Sequence, residues 1–315
     1  VGYTVDTASL RQYHDDTLAP HTQALRDLDR NHADRGMPPF PQGLAANGTT
    51  GLFTTVNDRL GRVLGDAVRH AASSQTRLAE TARRYAGAEA TNLSYFPGGG
   101  TRATTAAVAM PSPATLDGLP APHSIGDSQD LPAVLRAAID RLNATVAPLG
   151  GLSLVRPVTE QLWANAVDPR HYETAASAHA AQARHIAALK SRLDESARTT
   201  VLWDGSARDE FETDRRRHLA ILDDAETHSR TLSAAYGEMA VTMRGFLSHA
   251  ALAILAFLAA FSLTLFVSHF LESALFLCLA EIAAFVLYLA GWLAVRLVYM
   301  AQAARKTLGS HAVRA

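Results

Sequence analysis

The chain has 315 residues, with 29 Lys plus Arg against 30 Asp plus Glu, so it lacks the basic excess of a nucleic-acid binder. Aromatics make up 7% of a composition rich in alanine, which favours helix over sheet. The one cysteine, Cys278, excludes an internal disulfide and a thiolate metal cluster. The opening residues "VGYTVDTASLRQYHDD" are polar and acidic and do not read as a cleaved signal peptide.

Residues 1–93 read as a helical hairpin. Leu10, Thr17 or Leu18, Leu25 and Leu28 recur at helical spacing. So do Phe53, Val56, Leu60, Leu64, Ala67, Ala71, Leu78, Ala82 and Tyr85. Between them "RGMPPFPQGLAANGTTG" is too rich in Pro and Gly to continue a helix. Asp6 suits an N-cap, and Pro20 should kink or split the first helix. Residues 94–130 form a Pro/Gly/Ser/Thr linker with no period, too poor in apolar surface to offset chain entropy.

Residues 131–244 return to helical pattern. Two short segments, "LPAVLRAAIDRLNATVA" and "VRPVTEQLWANAV", precede a long run. That run places Tyr172, Ala176, His179, Ala183, Ile186, Leu193 and Ala197 on one face. The pattern halts at Trp203-Asp204-Gly205 and resumes with Phe211, His218, Leu222, Ala225, Leu232, Tyr236, Met239 and Met243. This is a second hairpin with charges at i, i+4 on its outer face.

Residues 245–300 differ in kind. No Asp, Glu, Lys or Arg occurs from Gly245 to Leu271, and "FLSHAALAILAFLAAFSLTLFV" is long enough to cross a hydrocarbon core. After a short loop, "ALFLCLAEIAAFVLYLAGWLAV" is interrupted by Glu281 alone. The pair reads as a transmembrane hairpin; the other reading is an apolar hairpin buried in protein. Arg244 before it, Arg296, Arg305 and Lys306 after it, and Glu272 in the loop place both termini in the cytoplasm by the positive-inside rule. Tyr288, Trp292 and Tyr299 suit an interfacial belt. Residues 301–315 are a basic tail. The expected fold is therefore all-α: two long antiparallel helical hairpins, compatible with a four-helix bundle, followed by a transmembrane hairpin.

The turn "TTVLWDGSARDEF" has a physical logic. Gly205 tolerates the positive φ of a reversal, and Asp204 or Ser206 can cap the next helix. Trp203 then plugs its own turn or offers an indole plate to a partner. Lying between two long amphipathic helices, with Phe211 at a core-facing place eight positions on, this hairpin resembles the WXG family of type VII (ESX-type) secretion. The resemblance runs through Val158–Arg244 and is in particular to versions near the N-terminus of actinobacterial polymorphic toxins.

Members of that class commonly carry Tyr-x-x-x-Asp/Glu at a hairpin end. The second hairpin departs from this, because "YGEMA" puts Ala240 four residues after Tyr236. The first hairpin matches with "YAGAE", Tyr85 to Glu89, two side chains on one helix face. That hairpin resembles EspC-related secreted proteins, although its own turn has no Trp-x-Gly. Tyr85 is then a recognition residue with Glu89, or a core tyrosine beside a solvated acid. One motif on each hairpin implies an internal pseudo-heterodimer, with Trp203, Tyr85 and Glu89 forming one recognition surface at a bundle end, held at high effective concentration by the linker.

Other chemistries find no pattern. The 13 histidines form no His-x-x-x-His pair and no Cys accompanies them, "FPGGGTR" lacks a phosphate-loop signature, and no nucleophile motif occurs. No cofactor, metal or catalytic residue is expected. Glu281 stands as a costly acid in an apolar span, facing a partner helix, a water path or an interface.

The resulting expectation is a non-enzymatic type VII secretion-associated protein, an export substrate or delivery module. Its partners would be the secretion machinery or a small helical-hairpin chaperone, and the lipid bilayer; self-association is compatible with the pattern. Two other readings stay open: a pore-forming, membrane-depolarising effector, and a resident inner-membrane adaptor. The expected location is the inner membrane, with or without export.

Overall fold

In the computed structural model, residues 7–46, 48–95, 130–200, 206–268 and 274–312 are described. The helices are α1 (Thr7–Tyr13), α2 (Ala19–Asp34), α3 (Gln42–Ala46), α4 (Thr49–Tyr95), α5 (Leu131–Val146), α6 (Leu152–Ala164), α7 (Pro169–Thr200), α8 (Ser206–Ser268) and α9 (Ala274–Ala312). No strand occurs among the described residues, so the fold is all-α. Asp6, the Trp203-Asp204-Gly205 turn and residues 96–129 of the linker lie outside the described residues.

Pro20 is accommodated by an identifiable device. A π-helical turn, His14–Leu18, separates α1 from α2, and the Ala19 N–H donates to the His14 carbonyl. Proline lacks an N–H and clashes with the carbonyl four residues before it. Widening the preceding turn accommodates that ring without ending the helix. The Pro/Gly-rich stretch 35–41 is non-helical, and positive φ at Gly48 (69°) lets the chain enter α4.

The chain divides into two compact units: residues 1–36, 58–120 and 180–230, and residues 37–57, 121–179 and 231–315. In the first unit, α1–α2 and the parts of α4, α7 and α8 within it share one core. The predicted faces are the buried ones, from Leu10, Leu25 and Leu28 through Leu60, Leu64 and Leu78 to Ile186, Leu193 and Leu222. Both hairpins are antiparallel here. Leu10 meets Leu78 and Ala82, and Gly61 lies against His32. Across the second hairpin, Lys190 pairs with Asp223 and, at 3.0 Å, with Glu226, while Asp194 pairs with Arg215.

In the second unit an aromatic cluster organises the packing. Phe40 lies 5.0 Å from Phe53 and 6.0 Å from Tyr172, and Phe53 lies 4.9 Å from Tyr236, between ring centroids. The Tyr172 hydroxyl donates to the Pro39 carbonyl at 2.8 Å, fixing the Pro-rich stretch. Helices α5 and α6 form a short hairpin. Asp130 caps α5 by accepting from the Ala133 N–H at 3.2 Å, and Pro132 sits in the first turn, where its missing donor costs nothing. Gly150, at φ 73°, reverses the chain after a 3-10 turn at Ala147–Leu149. Helix α8 passes Arg244 and Gly245 without a break, so its charged and apolar portions belong to one helix of 63 residues. No proline lies within it. Helix α9 likewise continues through the basic tail to Ala312.

Candidate recognition end and apolar hairpin

In the first unit, two of the sequence-predicted recognition residues share one core cluster. Phe211 and Tyr85, each partly buried, pack against one cluster of Leu10, Tyr13, Leu18, Leu78, Ala82 and Leu193. Phe211 stands edge-on to Tyr13, with centroids 5.6 Å apart and planes at 82°. This is the favoured geometry for two aromatic quadrupoles. Tyr13 is fully buried, and burial pushes its phenol up to about 12. Trp203 and Gly205 lie outside the described residues; Glu89 lies on α4, but its side chain does too. The sequence brings Tyr85 and Phe211 together through helix phase, because both lie on the apolar stripe of antiparallel helices.

Sequence reasoning missed a histidine cluster in this unit. His21 and His218 are buried, with their Nε2 atoms 2.9 Å apart, so one ring donates and the other accepts. His70 stacks on His218 at 5.2 Å and 17°. Burial lowers His21 to about 4. Burial, with His21 and His70 nearby, lowers His218 to about 3. His21 and His218 are therefore neutral at neutral pH. His21 and His218 line a narrow cleft with Tyr13, Leu18, Phe211 and Asp214. The signal was present in the apolar phase of His218, which belongs to a core face. His21 and His70 lie on separate helices, and only tertiary packing brings the three together. Among the described residues, no group of three or more His, Cys, Asp or Glu is placed to hold a metal ion.

In the second unit, α8 and α9 form an antiparallel pair. Phe246 stacks on Trp292 (5.2 Å), Phe257 on Phe285 (4.1 Å), and Thr264 donates to Glu281 at 3.0 Å. Farther along, Thr307 donates to Glu238 at 3.0 Å. Both helices are long and apolar enough to cross a membrane, and only 28% and 22% of their most apolar stretches are buried. Phe266 (70%), Phe276 (80%) and Leu287 (74%) stand exposed. These apolar stretches are therefore largely uncovered within the chain, and exposed apolar surface marks an interaction site.

Glu281 faces the partner helix and accepts from Thr264 across the hairpin. Two of the predicted belt residues, Tyr288 and Trp292, gather with His249 and Arg296 near the other end. His249 stacks on Trp292 at 4.9 Å and lies 3.3 Å from the Tyr288 hydroxyl, and the Arg296 guanidinium lies 5.9 Å over the Trp292 ring. An indole, a phenol and a cation grouped in this way suit a membrane–water boundary.

No family model, curated protein or solved structure matches this chain.

Proposed function

We propose that this protein is a non-catalytic, membrane-anchored helical module of the type VII secretion kind. In this reading the paired hairpins are a handle gripped by the secretion machinery or a helical chaperone, and the α8–α9 hairpin sits in the bilayer with both termini cytoplasmic. The observation that carries the membrane part is the exposed apolar surface of α8 and α9 on helices long enough to span. The secretion part rests on the resemblance of the Trp203–Gly205 turn and the Tyr85–Glu89 pair. The shared packing of Tyr85 and Phe211 on one cluster supports it.

The pairing of Thr264 with Glu281 inside the hairpin favours an anchor over a pore. A polar pair satisfied within two helices does not by itself line a water path.

The test is fractionation of the full chain, tagged, in a host with an active secretion system. Membrane association resistant to carbonate extraction is expected, lost on deleting residues 246–299. Export abolished by Trp203→Ala or Gly205→Pro supports the handle. A carbonate-soluble protein refutes the anchor, and unchanged export in both variants refutes the handle.

A further inference from the structure

The hairpin of α5 and α6 ends in an uncharged tip. From Leu142 to Val155 there is no Asp, Glu, Lys or Arg, while Arg141 and Arg156 bracket it. A run of this length is too short to span a bilayer. Leu152 and Leu154 stand exposed at the tip.

The tip lies against the apolar hairpin. A β-carbon placed on Gly151 would meet Ile282 Cδ1 at 3.0 Å, so the backbone touches α9 well inside its apolar stretch. At the other end of α6, Asn165 Oδ1 accepts from the Gly43 N–H at 2.8 Å, and Gly43 lies against Leu297. From its N-cap to its C-cap, α6 thus keeps step with α9 from Ile282 to Leu297, the two helices running in the same direction.

That register sets the depth. At a rise of 1.5 Å per residue, Tyr288 and Trp292 lie roughly 9–15 Å along α9 from the tip. Arg141 and Arg156 lie about 7 Å from the tip along their own helices, close enough for long stems to lift their charges to the boundary. Trp163, with the Arg136 guanidinium 5.1 Å over its ring, stands farther out, about 18 Å from the tip.

We infer that the α5–α6 tip, through Leu152 and Leu154, inserts into the acyl layer of the same bilayer as the α8–α9 hairpin. Lipid is the occupant because the tip packs, through Gly151, on Ile282 within an apolar stretch of α9 that is only 22% buried. This rests on the membrane reading of α8–α9, and it adds a second membrane element that holds the protein at a set depth. The functional sense is a wedge that keeps α5 and α6 from tilting away from the surface.

The test uses the full chain with Cys278→Ala, reconstituted in phosphatidylcholine–phosphatidylglycerol vesicles. Three single variants, Leu152→Cys, Glu160→Cys and Phe276→Cys, each carry a small fluorophore. Quenching by acyl-chain nitroxide lipids is compared with quenching by aqueous iodide. Lipid quenching is expected at 152 and 276, and iodide quenching at 160. If 276 is quenched by lipid while 152 behaves like 160, the anchor stands and this inference fails. If 276 is quenched by iodide instead, the membrane reading fails and this inference with it. A probe at Leu154 repeats the readout should labelling at 152 disturb folding, judged by helical circular dichroism.

Discussion

Thr264 and Glu281 face each other across the apolar hairpin, with the threonine hydroxyl donating to the carboxyl at 3.0 Å. The hydroxyl also lies in a stretch of helix with no Asp, Glu, Lys or Arg between Gly245 and Ser268. Their pairing therefore resolves much of the cost that an acid in an apolar span would carry alone. A single polar pair between membrane helices contributes about 0.6–1.7 kcal/mol. Thr264→Val should lower the midpoint of unfolding by denaturing detergent in bicelles by that order. Glu281→Gln keeps an acceptor and should hold the midpoint near wild type. Equal loss in both variants would show that the contact is not the hydrogen bond described.

Close packing also makes Gly43 sensitive. A β-carbon there would stand 2.6 Å from Leu297 Cδ1 and 3.0 Å from Asn165 Oδ1. Leu297 has a movable end, but Asn165 is buried and committed, because its Nδ2 donates to the Gln161 carbonyl at 2.8 Å. Overpacking of this kind costs about 1–3 kcal/mol. Gly43→Ala should lower the thermal midpoint in micelles, whereas Gly237→Ala, where a β-carbon meets nothing within 4 Å, should be neutral or stabilising. Asn165→Ala orphans the Gly43 N–H and should be at least as harmful as Gly43→Ala.

These contrasts show what pattern alone could reach. The apolar phases of α4, α7 and α8 were legible because one face of a helix must be buried and the period of 3.6 marks it; Leu60, Ile186 and Leu222 are fully buried as read. The uninterrupted passage of α8 through Arg244 was not legible. A change from charged to apolar residues marks a change of surroundings, while a helix ends only where caps or breakers end it. The α5–α6 segments were legible as helices, but the register that lays Gly151 on Ile282 depends on tertiary packing. Of the candidate recognition residues, Tyr85 and Phe211 were placed by phase.

The His21–His218 contact predicts an acid-sensitive first unit. Both rings are lowered from the usual histidine value, to about 4 and about 3, chiefly by burial. The unfolded chain therefore binds more protons than the folded one between about pH 6.5 and those values. Stability should be level above about pH 6.5 and fall as pH drops through that window, with a slope up to about 1.4 kcal/mol per pH unit for each buried ring. Replacing both partners, His21→Leu with His218→Leu, removes the hydrogen bond and both titrations together, so the slope should flatten even if the plateau moves. Urea midpoints at pH 7.5, 6 and 5 read this directly. A slope unchanged in the double variant would assign the acid response to other groups.

Phe211 and Tyr85 separate packing from recognition. Phe211 stands edge-on to the buried Tyr13, so Phe211→Ala should destabilise the first unit by about 1–3 kcal/mol, through lost burial and the aromatic pair. Phe211→Leu should recover most of that, because burial is the larger share. Tyr85 is only partly buried on the same cluster. Tyr85→Phe keeps its ring contacts and removes only the hydroxyl, so the unfolding midpoint should stay within about 0.5 kcal/mol of wild type. If Tyr85 is part of a surface read by a secretion partner, that same variant should still reduce export, because a site built to bond a hydroxyl discriminates strongly against its loss. Normal export of Tyr85→Phe at wild-type stability would instead make Tyr85 a packing residue and leave the handle to other groups.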